Sequence, residues 1–122
     1  MKRTGQVIHG AGRGKGLGFP TLNVAIADFD LSFGVYPVAV SCEQKKYSGV
    51  MNWGSRPTFD EETPAVEVFL LDGSGDFYGK TVELDVGPLL RKVRRFGSPE
   101  ELVAQIAEDV HRAREFFQTG TL

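Results

Sequence analysis

Through most of the chain, apolar and polar residues alternate with a period of two. In "GVYPVAVSC" (34–42), Tyr36, Val38, Val40 and Cys42 fall on one face. In "KTVELDV" (80–86), Val82, Leu84 and Val86 face inward while Thr81, Glu83 and Asp85 face outward. The runs "GQVIHG" (5–10), "TLNVAI" (21–26), "KKYSGVMNW" (45–53) and "AVEVFLL" (65–71) read as further short strands. Only Glu43 and Gln44 separate the strands on either side of them, which predicts a hairpin. "DGSGDFYG" (72–79) is turn chemistry. Short strands punctuated by Gly and Pro predict a barrel or a sandwich.

The period changes near the end. In "SPEELVAQIAEDVHRAREFF" (98–117), Leu102, Ile106, Val110, Ala113 and Phe117 recur at helical spacing. Ser98 stands three residues before Glu101, a capping box, and Pro99 takes the first helical position. The apolar stripe of this helix predicts that it covers one opening or flank of the barrel.

Composition narrows the function classes. The 122 residues predict one domain, 1–122, with a real core. A formal net charge of −2 argues against a nucleic-acid partner. No apolar run approaches the roughly 20 residues of a membrane span, and "MKRTGQVIHG" lacks the apolar centre of a signal peptide. A single cysteine, Cys42, forms no internal disulfide. Together these predict a cytoplasmic setting. Cys42 reads as a small core or edge residue, with no base nearby to make a thiolate.

Three features carry candidate chemistry. Gly10, Gly12, Gly14, Gly16 and Gly18 alternate with other residues, and Arg13 and Lys15 add positive charge. Such a segment either cradles phosphate through its backbone N–H groups or is a mobile strand connection. The spacing matches no Walker, dinucleotide-binding or protein-kinase glycine loop. Pro20 then stiffens the chain and pushes Phe19 into extended geometry. Thr21 and Asn23 share a strand face, offering a hydroxyl and an amide carbonyl, hard oxygens suited to Mg²⁺. The alternative is that Thr21 satisfies backbone at a strand start and Asn23 belongs to a turn. Glu67 is the one charge in an apolar run, on a face with Phe69 and Leu71. It is either a desolvated proton acceptor or an edge carboxylate in water or paired with Arg91 or Lys80.

The order "GQVIHGAGRGKGLGFPTLN", "GVYPVAV", "YSGVMNWGSRPTF", "VEVFLLD", "DFYGKTVEL" and "LLRKVRRFGSPEEL", followed by a helix, resembles the bacterial riboflavin kinase family over essentially the whole chain. The resemblance implies a mostly β fold: a six-stranded antiparallel Greek-key β-barrel with a C-terminal α-helix. It implies transfer of the γ-phosphoryl of ATP to the 5′-hydroxyl of riboflavin, giving FMN and ADP, with Mg²⁺ as cofactor. It places nucleotide binding on Gly12, Arg13, Gly14, Lys15, Gly18, Pro20, Thr21 and Asn23, metal binding on Thr21 and Asn23, and catalysis on Glu67. Asn52, Arg91 and Phe96 are the expected flavin contacts, with Phe19, Trp53, Phe59 and Phe77 as candidates to bracket aromatic rings. The family module usually forms the C-terminal half of a bifunctional FAD synthetase, so a fused adenylyltransferase is the expected partner unless the kinase stands alone. Leu22, Met51, Trp53 and Val93 depart from the common pattern; Met51 and Trp53 are expected to reshape the ligand pocket. The competing readings are a non-catalytic FMN-binding barrel and, less compatible with the charge, an oligonucleotide-binding barrel.

Overall fold

A computed structural model describes residues 1–8, 20–26, 29–54, 65–73 and 75–119. The elements run β1 (Lys2–Ile8), β2 (Thr21–Ala25), β3 (Gly34–Cys42), β4 (Lys45–Gly54), β5 (Ala65–Leu70), β6 (Thr81–Val86), β7 (Arg91–Lys92) and α1 (Pro99–Thr119). The strands pair antiparallel in the order β4-β5-β2-β1-β6-β3-β7, and a further β4–β3 pairing closes the first six into a barrel. Closure leaves those six strands without a free edge. The expected six-stranded barrel with a C-terminal helix is therefore what forms.

The period-two faces explain the packing. Val38, Val40, Val68, Val82 and Leu84 point inward and are 0% exposed, in one cluster with Leu22, Met51 and Trp53. Among the described residues, these side chains fill the barrel interior. Cys42 is buried in the same cluster, as a core residue.

The opposite face of part of the sheet carries the helix. Val35, Val50 and Phe69 pack against Ile106, Val110 and Ala113, with Leu102 and Phe117 partly buried beside them. All five stripe residues of the helix lie where the 3.6 period puts them. The helix covers a flank of the barrel. Its start is capped as expected: the Glu101 N–H donates to Ser98 Oγ at 3.2 Å, and the Gly97 N–H donates to Glu101 Oε2 at 2.8 Å.

Two strands differ from the sequence reading. β1 begins at Lys2, because Lys2 through Gln6 pair with β6 from Asp85 to Thr81, and pairing rather than apolar content sets that end. His9 and Gly10, the end of the run read as this strand, lie outside the described residues. β7, two residues long, pairs with the start of β3 where β6 has left it, and so short a strand has no periodicity to show. Pro37 sits at that gap in the middle of β3, where its carbonyl accepts from the Gly87 N–H at 2.8 Å and its missing N–H breaks no ladder.

The β3–β4 hairpin is the two-residue turn that the sequence implies. Glu43 and Gln44 both take positive φ, 50° and 68°, the geometry that normally recruits Asn-Gly. Gln44→Gly is expected to raise stability by about 1 kcal/mol in urea unfolding. An unchanged midpoint would show that the turn carries no such strain.

Candidate functional site

Strand register brings the outward polar residues into one row. Asn23 on β2 pairs with Glu67 on β5, and Glu67 pairs with Asn52 on β4. Asn52 pairs with Val35 on β3, and Val35 with Arg91 on β7. Residues directly opposite in a sheet share a face, with Cβ atoms roughly 5 Å apart. The row is on the outer face, since Val35 belongs to the helix-covered cluster. Thr21 lies two residues before Asn23 on that face, opposite Phe69. The Pro20 carbonyl accepts from the Leu70 N–H at 2.9 Å, which pins the start of β2 against β5.

Burial marks the row out further. Among the described residues, three polar or charged residues are buried: Asn23 at 8%, Glu67 at 5% and Asp109 at 1% exposure. Two of the three are adjacent partners in the row. Glu67 Oε2 is a buried oxygen that accepts no hydrogen bond, although the residue itself has interactions. The ion pairs considered for Glu67 are otherwise engaged. Arg91 is bound to Asp109 at 2.8 Å, and Lys80 to Glu43 at 2.6 Å, where the hydrogen bond from Lys80 holds the Glu43 carboxyl below its ordinary range.

Arg91 is on the row, but its donors are largely taken. Nε and Nη2 each donate to Asp109 at 2.8 Å, and Nη1 donates to the Lys92 carbonyl at 3.1 Å. Its guanidinium lies 5.7 Å from the Phe96 ring centre, and that of Arg94 lies 4.8 Å from it. Phe96 is thus gripped by two cations at the end of the row.

Other candidates separate from the site. Trp53 and Phe77 are core residues: Trp53 packs with Phe29 at 5.4 Å and donates from Nε1 to the Leu31 carbonyl, while Phe77 stacks edge-on against Tyr47 at 5.3 Å. Met51 is 0% exposed inside the barrel, so with Trp53 it shapes the core, not an outer pocket. Leu22 also points inward, away from Thr21 and Asn23. Gly12, Arg13, Gly14, Lys15, Gly18, Phe19 and Phe59 lie outside the described residues. A cavity of about 200 Å³ beneath the β3–β4 hairpin, lined by Cys42, Lys45, Tyr47 and Phe77 among others, contains no residue of the row.

Asp109 and Gln105 were not anticipated. The signal was present: Asp109 is three residues past Ile106 and four before Ala113, a carboxylate within the apolar stripe. The reasoning that singled out Glu67 applies equally to it.

The described elements thus form a closed barrel with a flanking helix and an outward-facing Asn23–Glu67 pair. The family model for riboflavin kinase, described as flavokinase, matches residues 1–117. The chain belongs to the riboflavin kinase family. It is 41% identical over 116 residues to the bifunctional riboflavin kinase/FMN adenylyltransferase of Escherichia coli K12, covering 93% of this chain and 37% of that protein. It therefore spans little more than a third of that relative's length. The crystal structure of riboflavin kinase from Trypanosoma brucei matches with a TM-score of 0.65 and 27% identity, over 97% of this chain and 80% of that one. That of a macrolide-efflux protein from Streptococcus pneumoniae matches with a TM-score of 0.80 and 34% identity, over 93% of this chain and 38% of that one. Among the described residues, no helix is long and apolar enough to cross a membrane.

Proposed function

We propose that this chain transfers the γ-phosphoryl of ATP to the 5′-hydroxyl of riboflavin, giving FMN and ADP. The observation that carries the proposal is the direct pairing of two buried polar residues, Asn23 and Glu67, on the outer wall of a filled barrel. Phosphoryl transfer asks a protein for alignment, charge neutralisation and exclusion of water. A buried carboxylate next to an amide meets the first and third needs.

Glu67 accepts the proton of the ribityl 5′-hydroxyl as the new O–P bond forms and the bond from Pγ to the β,γ-bridging oxygen breaks, leaving ADP. Thr21 and Asn23 fit Mg²⁺: both offer neutral oxygens on the face that holds Glu67, and Mg²⁺ takes few protein ligands, completing its shell with phosphate and water. When bound, the ion neutralises charge on the transferring phosphoryl group. The glycine-rich segment, with Gly12, Arg13, Gly14, Lys15 and Gly18, is assigned to the nucleotide phosphates on its sequence alone.

Asn52, Val35 and Arg91 continue the row from Glu67 for three strand spacings, roughly 14 Å, and Phe96 lies against Arg91 beyond it. That length suits an elongated substrate whose alcohol end sits at Glu67 and whose ring end sits at Phe96. Arg91 contributes there by supporting Phe96, because most of its donors face Asp109. We also assign the chain to the cytoplasm, with an FMN adenylyltransferase domain as partner, following the bifunctional relative.

Product analysis tests the proposal: riboflavin, MgATP and the protein should yield FMN and ADP in equal amounts. Tight FMN binding with no ATP turnover would overturn it in favour of a flavin carrier. Asn23→Leu, of similar volume, is expected to raise the Mg²⁺ concentration for half-maximal turnover on the order of tenfold. A normal Mg²⁺ dependence in that variant would remove Asn23 from the metal site.

A further inference from the structure

We infer that Asp109 is a positioning residue for the ring end of the substrate, acting through Arg91; this rests on the riboflavin kinase reading. The carboxylate is 1% exposed, on the face of α1 that meets the barrel. Both of its oxygens accept from Arg91 at 2.8 Å, and Oδ1 also accepts from Gln105 Nε2 at 3.0 Å. Gln105 Oε1 in turn accepts from Arg94 Nη1 at 3.4 Å. Arg91 and Arg94 are the two cations against Phe96. One buried carboxylate therefore organises both guanidiniums that hold a single aromatic ring.

Stability alone does not account for this arrangement. A buried ion pair contributes little net stability, because the desolvation of both charges offsets most of their attraction, and apolar residues of similar size commonly do as well. The pair does supply direction. A bidentate carboxylate fixes the guanidinium plane as well as its position. Arg91 lies on β7, in register with Val35 and hence in the row that contains Asn52, Glu67 and Asn23. Fixing its plane fixes Phe96 relative to Glu67. Asp109 thereby sets the distance between the wall that meets the flavin ring and the base that meets the alcohol.

The test is steady-state kinetics of Asp109→Asn with both substrates varied. Asparagine keeps the shape but turns an amide N–H₂ toward Arg91, where two donors then face each other. The KM for riboflavin is expected to rise on the order of tenfold, while the KM for ATP and kcat stay within about twofold. Gln105→Met, which removes the hydrogen bonds to Asp109 and from Arg94 but leaves the Arg91–Asp109 pair, is expected to raise the same KM roughly two- to threefold, and it decides the matter if Asp109→Asn does not fold. A lower melting temperature with both KM values unchanged, or a parallel rise in both, would overturn the inference and leave Asp109 a structural residue. If the wild-type chain phosphorylates no riboflavin, the reading on which it rests falls, and this inference with it.

Discussion

Glu67→Gln is expected to lower kcat by a factor on the order of 10² to 10⁴. The substitution keeps the side chain's size and its place opposite Asn23 and Asn52. It removes the ability to accept a proton. The ribityl alcohol must lose its proton during transfer, and without an acceptor the proton has to leave through water. Binding should change little, because Gln still offers a carbonyl oxygen in the same position. The check is to compare kcat with riboflavin affinity by calorimetry. Turnover within about threefold of wild type would exclude Glu67 as the base. A matched loss of affinity and kcat would indicate a binding role.

Leu84→Ala is expected to cost 2–5 kcal/mol of folding stability, by loss of buried surface and formation of a cavity. Leu84 is fully buried in the barrel interior on β6. Around the ring, β6 is the strand opposite β5, and Glu67 points outward from β5. The substitution should therefore leave kcat per folded molecule within about twofold. Against a typical total of about 5–15 kcal/mol, such a loss would be evident in urea unfolding. A loss below about 1 kcal/mol would mean that the interior is less tightly filled than its burial indicates.

Much of this was legible in the sequence, for identifiable reasons. Val82, Leu84 and Val86 declared a face because one side of β6 is buried and the other is wet. The helix declared itself through Ser98, Pro99 and the 102–117 stripe. Glu67 stood out as a charge in an apolar run, and register then placed it beside Asn23. Register is what the sequence could not supply: nothing local states that position 67 lies opposite 23 on one side and 52 on the other. The same holds for β7, whose two residues are defined by pairing with Gly34 and Val35. The burial of Trp53 and Phe77 was not legible either, because an aromatic side chain reads alike whether it fills a core or stacks on a ligand. Asp109 was legible but overlooked, since a carboxylate on a helix otherwise rich in charge looks solvated until its angular position is compared with Ile106 and Ala113.

The central claim is that Asn23 and Glu67 act together on one transition state. The most direct measurement is a double-mutant cycle on kcat/KM for riboflavin, using Asn23→Leu, Glu67→Gln and the pair. Groups that serve a single transferring phosphoryl should be non-additive, with the double variant losing less than the product of the single losses by at least about 1 kcal/mol of coupling. Losses that multiply to within about 0.4 kcal/mol would show two independent residues and contradict the shared site.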